Sequence, residues 1–80
     1  MQVGLTGPLR SAAGGAAELA IEAKTIRELL GRLIEQYPDM NLHMDLGIAV
    51  SVDGVMYRDD WDVEIPGGVE VVLLPRIQGG

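Results

Sequence analysis

The sequence contains no cysteine or phenylalanine, and it has one histidine, His43, and one tryptophan, Trp61. The absence of cysteine excludes disulfides, iron–sulfur clusters, zinc–thiolate sites and thiol nucleophiles. His43 has no set of co-ligands near it, so we expect a half-buried loop residue and no metal site. A stand-alone enzyme is the least expected class, because the remaining side chains offer no nucleophile paired with a base.

Positive charge and long apolar runs are also scarce. Six Lys and Arg residues stand against 12 Asp and Glu residues, so the formal net charge is −6. Within residues 38–70, Arg58 is the one Lys or Arg residue. The same stretch contains eight acidic residues: Asp39, Asp45, Asp53, Asp59, Asp60, Asp62, Glu64 and Glu70. This balance argues against nucleic acid as a partner and favours a protein with a basic surface. No apolar run approaches the length of a membrane span and no signal-peptide pattern is present, so we expect a cytoplasmic protein that does not contact membranes.

The apolar residues that are present indicate one small domain. Alternation predicts strands over 1–6, 16–22 and 48–52, and an apolar run predicts a last strand over 69–74. Asp53-Gly54 predicts a hairpin turn that leads into a short strand over 55–57. The segments Leu9 to Gly15 and Asp39 to Gly47 show no clear period, and we expect both to be connections without regular structure.

The clearest helix is predicted from Thr25 to Tyr37. Thr25 and Glu28 have the spacing of a capping box, and Pro38 ends the helix. Its apolar residues lie on one face: Ile26, Leu29, Leu30, Leu33, Ile34 and Tyr37. The order strand, strand, helix, strand, short strand, strand predicts an α+β fold of the β-grasp type. We expect a mixed sheet of four to five strands, with the last strand beside the first and the helix packed on one face.

The chain ends in a short tail after this predicted domain. Pro75 has no N–H group and is predicted to end the last strand, which gives a domain over residues 1–75 and a flexible tail over 76–80. Gly79 and Gly80 have no Cβ atoms, so the terminal carboxylate can enter a narrow channel. This favours a protein whose own C-terminus is the reacting group. The alternative is a disordered terminus without a function.

With these features the chain resembles the ubiquitin-like sulfur carriers of molybdopterin and thiamine biosynthesis, the MoaD/ThiS family. The resemblance covers essentially the whole chain and rests on five segments: Thr25 to Leu30, Tyr37-Pro38, Val50 to Gly54, Pro66 to Val71, and Leu74-Pro75 before Gly79-Gly80. The length and the proline before the glycines look most like the small subunit of molybdopterin synthase. The chain departs from the family where it has Asp53-Gly54 in place of the common Asn-Gly, and where Arg76-Ile77-Gln78 replaces small apolar residues. These departures leave the receiving pathway open.

The resemblance implies carrier chemistry at Gly80. An E1-like enzyme would adenylate the Gly80 carboxylate with ATP, and the persulfide of a sulfurtransferase would displace AMP and leave a thiocarboxylate. The carrier itself would bind no cofactor, and in a molybdopterin synthase its tail, with Arg76, Ile77, Gln78 and Gly79, would enter the large subunit's active site. The alternatives are a protein modifier conjugated through Gly80, a carrier for thiamine or another pathway, and a β-grasp interaction module with an idle tail.

Two surfaces are predicted to contact partners. If Val69, Val71 and Leu73 are core residues, Val72 and Leu74 form an apolar patch on the open side of the sheet, beside Pro75. The alternative is that the segment from Met40 to Leu46 covers this patch.

The acidic residues Asp59, Asp60 and Asp62 form the second predicted surface. They are predicted to steer the protein onto a basic enzyme, and the alternative is an inert solvated surface.

Overall fold

The computed structural model describes residues 1–76, and within them five strands and three helices follow one another. The strands are β1 (Gln2–Leu5), β2 (Glu18–Ala20), β3 (Ile48–Val52), β4 (Val55–Tyr57) and β5 (Val71–Pro75). The helices are α1 (Pro8–Ala12), α2 (Ile26–Gln36) and α3 (Met40–Leu46). None of these helices has the length and apolar character needed to cross a membrane.

The strands form one mixed sheet in the order β2-β1-β5-β3-β4. Strands β1 and β5 run parallel, with Val3 opposite Val71 and Leu5 opposite Leu73. The other neighbouring pairs are antiparallel, and β5 lies at the centre between β1 and β3. The predicted β-grasp fold, with the last strand beside the first, is therefore confirmed. The Asp53-Gly54 turn is also confirmed, since both residues adopt positive φ angles (50° and 82°), as a two-residue hairpin loop requires.

Helix α2 lies across one face of the sheet, as its apolar spacing predicts. The Thr25 side chain accepts a hydrogen bond from the Glu28 N–H (3.2 Å), which satisfies one free donor at the helix start. The Glu28 carboxylate accepts from the Lys24 N–H (2.9 Å), one residue earlier than in the usual capping box. The apolar face buries Ile26, Leu29, Leu30 and Leu33 against the sheet residues Val3, Leu5, Val50, Val71 and Leu73.

The expectation of irregular structure over Leu9 to Gly15 is wrong for residues 9–12, which belong to helix α1, whereas residues 13–15 form a turn. Pro8 stands in the first turn, where its fixed φ angle favours a helix and its missing N–H costs nothing. Leu9 is fully buried and Ala13 is nearly so, and burial of these two side chains fixes a helix too short to be stable alone.

The segment from Asp39 to Gly47 is likewise not irregular, because it contains helix α3. Met40 is fully buried and Met44, one turn later, packs against the same core. The helix packs against α1 and α2 and ends at Gly47, whose N–H donates to the carbonyl of His43 (3.0 Å). Since Met40 and Leu73 share the core, α3 is part of the core side of the sheet.

Candidate functional site at the root of the tail

Strand β5 presents its side chains alternately to the two faces of the sheet. Val71 and Leu73 are fully buried in the core, whereas Val72 and Leu74 are half-buried on the other face. Val69 packs against the core but precedes the strand, so β5 starts two residues later than the sequence predicts. The alternation places Val72 and Leu74 side by side on the open face, next to the point where the chain leaves the sheet.

The end of β5 is held by residues from both neighbouring segments. Pro75 is the last residue of the strand and lies opposite Ile48, as expected for a residue that cannot donate to the ladder. One residue further, the Arg76 N–H donates a hydrogen bond to the carbonyl oxygen of Gly47 (3.1 Å). The Thr6 hydroxyl donates to the Leu73 carbonyl on the other side (3.1 Å). The hydrogen bonds to the rest of the domain therefore continue through Arg76, the first residue of the tail.

The predicted reacting residues follow directly after this segment. Ile77, Gln78, Gly79 and Gly80 lie outside the residues that the structure describes, so their roles stay predictions from the sequence. Arg76 is the one tail residue within the described part of the chain, and it is exposed. Its position shows where on the sheet the tail begins.

An open groove of about 630 Å³ lies on the sheet face that carries Val72. Gly4 forms part of its floor, because a Cβ atom there would lie 3.5 Å from Val72 Cγ2. Arg10 borders the groove and its Nε–H donates to the Leu5 carbonyl (3.0 Å). No motif in the sequence marks Gly4, Thr6 or Arg10 as site residues. The signal in the sequence is Gly4 itself, because a glycine on the polar side of an alternating strand leaves space on that face of the sheet.

The three aspartates between β4 and β5, Asp59, Asp60 and Asp62, have different surroundings. Asp59 and Asp60 are exposed. Asp62 is also exposed, but its carboxylate accepts a hydrogen bond from Arg27 Nε at 2.8 Å. This hydrogen bond, together with the positive charge of Arg27, lowers the pKa of Asp62 below its usual value. Asp62 is thus paired with helix α2, whereas no ion pair within residues 1–76 involves Asp59 or Asp60.

A small cavity of about 160 Å³ brings this acidic segment next to the root of the tail. Its lining includes Asp59 and Arg58 after β4, Trp61, and Gly47 and Arg76 at the tail root. Trp61 is half-buried against the core, and its carbonyl accepts the Arg27 N–H (2.7 Å), which ties the segment to the start of α2. The structure therefore places Asp59 and Arg76 around one cavity, while Val72 and Leu74 face the open side of the sheet.

Metal binding receives no support from the described part of the chain. Residues 1–76 contain no group of three His, Asp or Glu side chains arranged to hold a metal ion. His43 is half-buried as expected, but it lies in helix α3 and not in a loop.

A β-grasp sheet whose central strand leads straight into a Gly-Gly tail defines a protein of the ubiquitin-like class. The chain belongs to the ThiS family, since the model of that family matches residues 3–80. A comparison of the sequence with curated proteins finds no match.

Solved structures show the same fold. Molybdopterin converting factor subunit 1 from Pyrococcus furiosus is similar with a TM-score of 0.79 and 21% identity, over 95% of this chain and 95% of that chain. SAMP1, a small archaeal modifier protein from Methanosarcina acetivorans, has a TM-score of 0.76 and 20% identity, over 99% of this chain and 94% of that chain. A chain of the BexX/CysO complex from Amycolatopsis orientalis has a TM-score of 0.76 and 19% identity, over 99% and 98% of the two chains. At these identities the structural similarities establish the β-grasp fold.

Proposed function

We propose that this protein is a cytoplasmic sulfur carrier that delivers sulfur as a thiocarboxylate on Gly80. The observation that carries the proposal is the ThiS family match, which extends through the glycines to residue 80. The fold supports it, because the central strand ends at Pro75, five residues before the terminal carboxylate that a partner would receive.

The chemistry starts from a carboxylate, which is a poor electrophile. An E1-like enzyme joins the Gly80 carboxylate to the α-phosphate of ATP and releases pyrophosphate, which creates a good leaving group. The terminal sulfur of a sulfurtransferase persulfide attacks the acyl carbon and displaces AMP. A thiol then cleaves the S–S bond and leaves the thiocarboxylate on the carrier. The catalytic groups and the ATP belong to the partners, and the carrier supplies docking and the tail.

Docking is assigned to the open face of the sheet beside the tail root. Val72, Leu74 and Pro75 offer apolar surface there, and a partner that grips it also receives the tail that starts at Arg76. The acidic residues Asp59, Asp60 and Asp62 lie on the segment beside the tail root and complement a basic surface on the activating enzyme, with Asp62 contributing less because it is paired with Arg27.

The receiving pathway that we propose is molybdopterin biosynthesis, with the large subunit of molybdopterin synthase as the sulfur acceptor. The length of the chain and the proline before the glycines support this assignment, as does the similarity in fold to molybdopterin converting factor subunit 1. A carrier for thiamine or another pathway uses the same activation and differs only in the acceptor.

The second candidate function is a protein modifier that is conjugated through Gly80 to lysines of other proteins. The similarity in fold to SAMP1, a small archaeal modifier protein, favours it. Both functions begin with adenylation of Gly80, so the product formed afterwards separates them.

The proposal is tested by alkylating the protein purified from its own cells with iodoacetamide. Because the chain has no cysteine, a thiocarboxylate is the thiol-type group that this reagent labels, and oxidation of methionine does not mimic the label. We expect a labelled fraction in the wild-type protein and none in a variant that lacks Gly80. An intact mass that ends at Gly80 and shows no label under sulfur-replete conditions would contradict the proposal.

A further inference from the structure

Gly47, at the end of helix α3, has a backbone conformation that favours glycine. Its φ and ψ angles are 105° and 134°, outside the regions that residues with a Cβ atom adopt. Positive φ at a helix end is common and by itself indicates only a helix stop. The surroundings of Gly47 indicate more than that.

The side chain of Arg76 occupies the space where a side chain at position 47 would be. A Cβ atom on Gly47 would lie 2.8 Å from Arg76 Cδ, 3.4 Å from its Cβ and 3.6 Å from its Cγ. The same two residues are joined by the hydrogen bond from the Arg76 N–H to the Gly47 carbonyl (3.1 Å). Arg76 is therefore hydrogen-bonded to Gly47 through its backbone, and the aliphatic part of its side chain lies next to the same glycine.

The preceding residue, Pro75, is restricted as well. Pro75 has a fixed φ angle, and its Cγ lies 3.6 Å from the position of a Cβ on Gly7. Gly7 and Gly47 thus lie against consecutive residues of the chain, just where it leaves the sheet. A Cβ at Gly47 would collide with the Arg76 side chain, whereas a Cβ at Gly7 would meet Pro75 at an ordinary contact distance.

We propose that Gly47 and Arg76 form a tail anchor, which fixes the direction and the reach of the residues that carry the reacting carboxylate. This inference rests on the proposed function. With Arg76 held against Gly47, four residues follow it in the sequence up to the reacting carboxylate, and four residues span at most about 14 Å. The anchor matters for rate, because misplacing a reacting group by about 1 Å can cost a factor of about 100. Gly47 and Arg76 are positioning residues, and neither takes part in the chemistry.

The anchor is tested with two substitutions and their matched controls. Gly47→Ala introduces the colliding Cβ. Its control is Gly54→Ala, because Gly54 also has a positive φ angle (82°) but a Cβ added there would have no heavy atom within 4 Å. Arg76→Gly removes the stem that packs on Gly47, and Arg76→Lys is its control, because lysine keeps the Cβ, Cγ and Cδ atoms. Each variant is first shown to be folded by its thermal unfolding.

The readout is pyrophosphate release by the cognate activating enzyme with ATP, measured against the concentration of carrier. We expect Gly47→Ala and Arg76→Gly to lower kcat by about tenfold or more and to leave the KM for the carrier nearly unchanged, since the docking face is intact. Arg76→Lys and Gly54→Ala should keep the wild-type kcat. A wild-type kcat in folded Gly47→Ala would overturn the inference, because Arg76 would then act by direct contact with the enzyme. Equal rates for Arg76→Gly and Arg76→Lys would also overturn it, and this pair decides the question if Gly47→Ala does not fold.

A second measurement uses the free protein and does not depend on the proposed function. Amide hydrogen exchange at Arg76 should be slowed in the wild-type protein and in Arg76→Lys, and it should approach the rate of an unstructured peptide in Gly47→Ala. Unprotected exchange at Arg76 in the wild-type protein would overturn the anchor. If the wild-type carrier is protected at Arg76 but is not adenylated, the proposed function fails and the anchor stands as a structural feature.

Discussion

Single residues in the acidic segment before β5 differ in what they can contribute to binding. Asp62 accepts a hydrogen bond from Arg27 at 2.8 Å, so its negative charge lies next to the positive charge of Arg27. Asp59 and Asp60 are exposed and Asp59 borders the cavity at the tail root. The attraction of a basic partner should therefore come mainly from Asp59 and Asp60, and Asp62 should act mainly within the fold.

Asp62→Asn should remove a small, pH-dependent part of the stability. The folded-state pKa of Asp62 is lowered by the hydrogen bond and the charge of Arg27. Its contribution is therefore fully present above the unfolded-state pKa of about 4 and is lost as the pH falls through the folded-state pKa. We expect the wild-type protein to melt at a higher temperature than the variant near neutral pH, and the two curves to converge in strong acid. Asp60→Asn is the control, and a difference for Asp62→Asn that persists unchanged in strong acid would contradict the assignment.

Strand β5 is the element that joins the core to the tail, and its two faces have separate tasks. Leu73 is fully buried, and its neighbour Val72 is half-buried on the open face. Leu73 is therefore needed for folding, whereas its neighbour Val72 is available for docking.

The substitutions Val72→Asp and Leu73→Asp should therefore have opposite consequences. Val72→Asp should leave the protein folded but weaken binding to the activating enzyme, because a charge would stand in the apolar docking face. Leu73→Asp should unfold the domain, with a loss of about 4 kcal/mol or more, because it buries an unpaired charge. Thermal unfolding and the KM for adenylation measure the two effects. A folded Val72→Asp variant with a wild-type KM would remove Val72 from the docking face.

Helix α3 offers a second test at the level of elements. Met40→Ala should destabilise the domain by about 2–5 kcal/mol, because it leaves a cavity in the core. Leu42→Ala should change the stability by less than about 0.5 kcal/mol, since 62% of the Leu42 surface is exposed. Denaturant unfolding measures both values. Equal, small effects would show that the segment is the irregular connection that the sequence suggests.

The elements that the sequence predicts correctly are those with a complete local pattern. Helix α2 has its cap at Thr25, a full apolar face and a stop at Pro38, and β5 has an apolar run that ends in a proline. Helices α1 and α3 lack such patterns, because α1 contains one large apolar residue and α3 carries exposed leucines beside its buried methionine. The contact of Arg76 with Gly47 joins residues far apart in the sequence, and no local rule indicates it.

At the scale of the whole molecule, the fold brings acidic charge next to the root of the tail. The excess of acidic residues lies in the second half of the chain, and Asp59 reaches the cavity that Arg76 also lines. Acidic groups beside the tail root can orient the protein before contact, and the apolar face can hold it afterwards.

Neutralising Asp59 and Asp60 together to Asn should slow association with the activating enzyme and reduce the dependence of that rate on salt. The control variant combines Glu35→Gln with Asp39→Asn, which removes the same charge from exposed positions at the end of α2 and before α3. Stopped-flow association rates at several salt concentrations provide the measurement. If both double variants slow association equally, the effect belongs to net charge and not to the acidic segment.

The most direct test of the sulfur-carrier function is the chemical state of the last tryptic peptide. Trypsin cleaves after Arg76 and releases residues 77–80, so one digest of alkylated protein from cells reports on Gly80 itself. The proposal predicts that this tetrapeptide carries an alkylated sulfur at Gly80. A protein modifier would instead leave the same tetrapeptide attached to lysines of other proteins. An unlabelled tetrapeptide with a free carboxylate, found in cells that supply sulfur, would contradict the account.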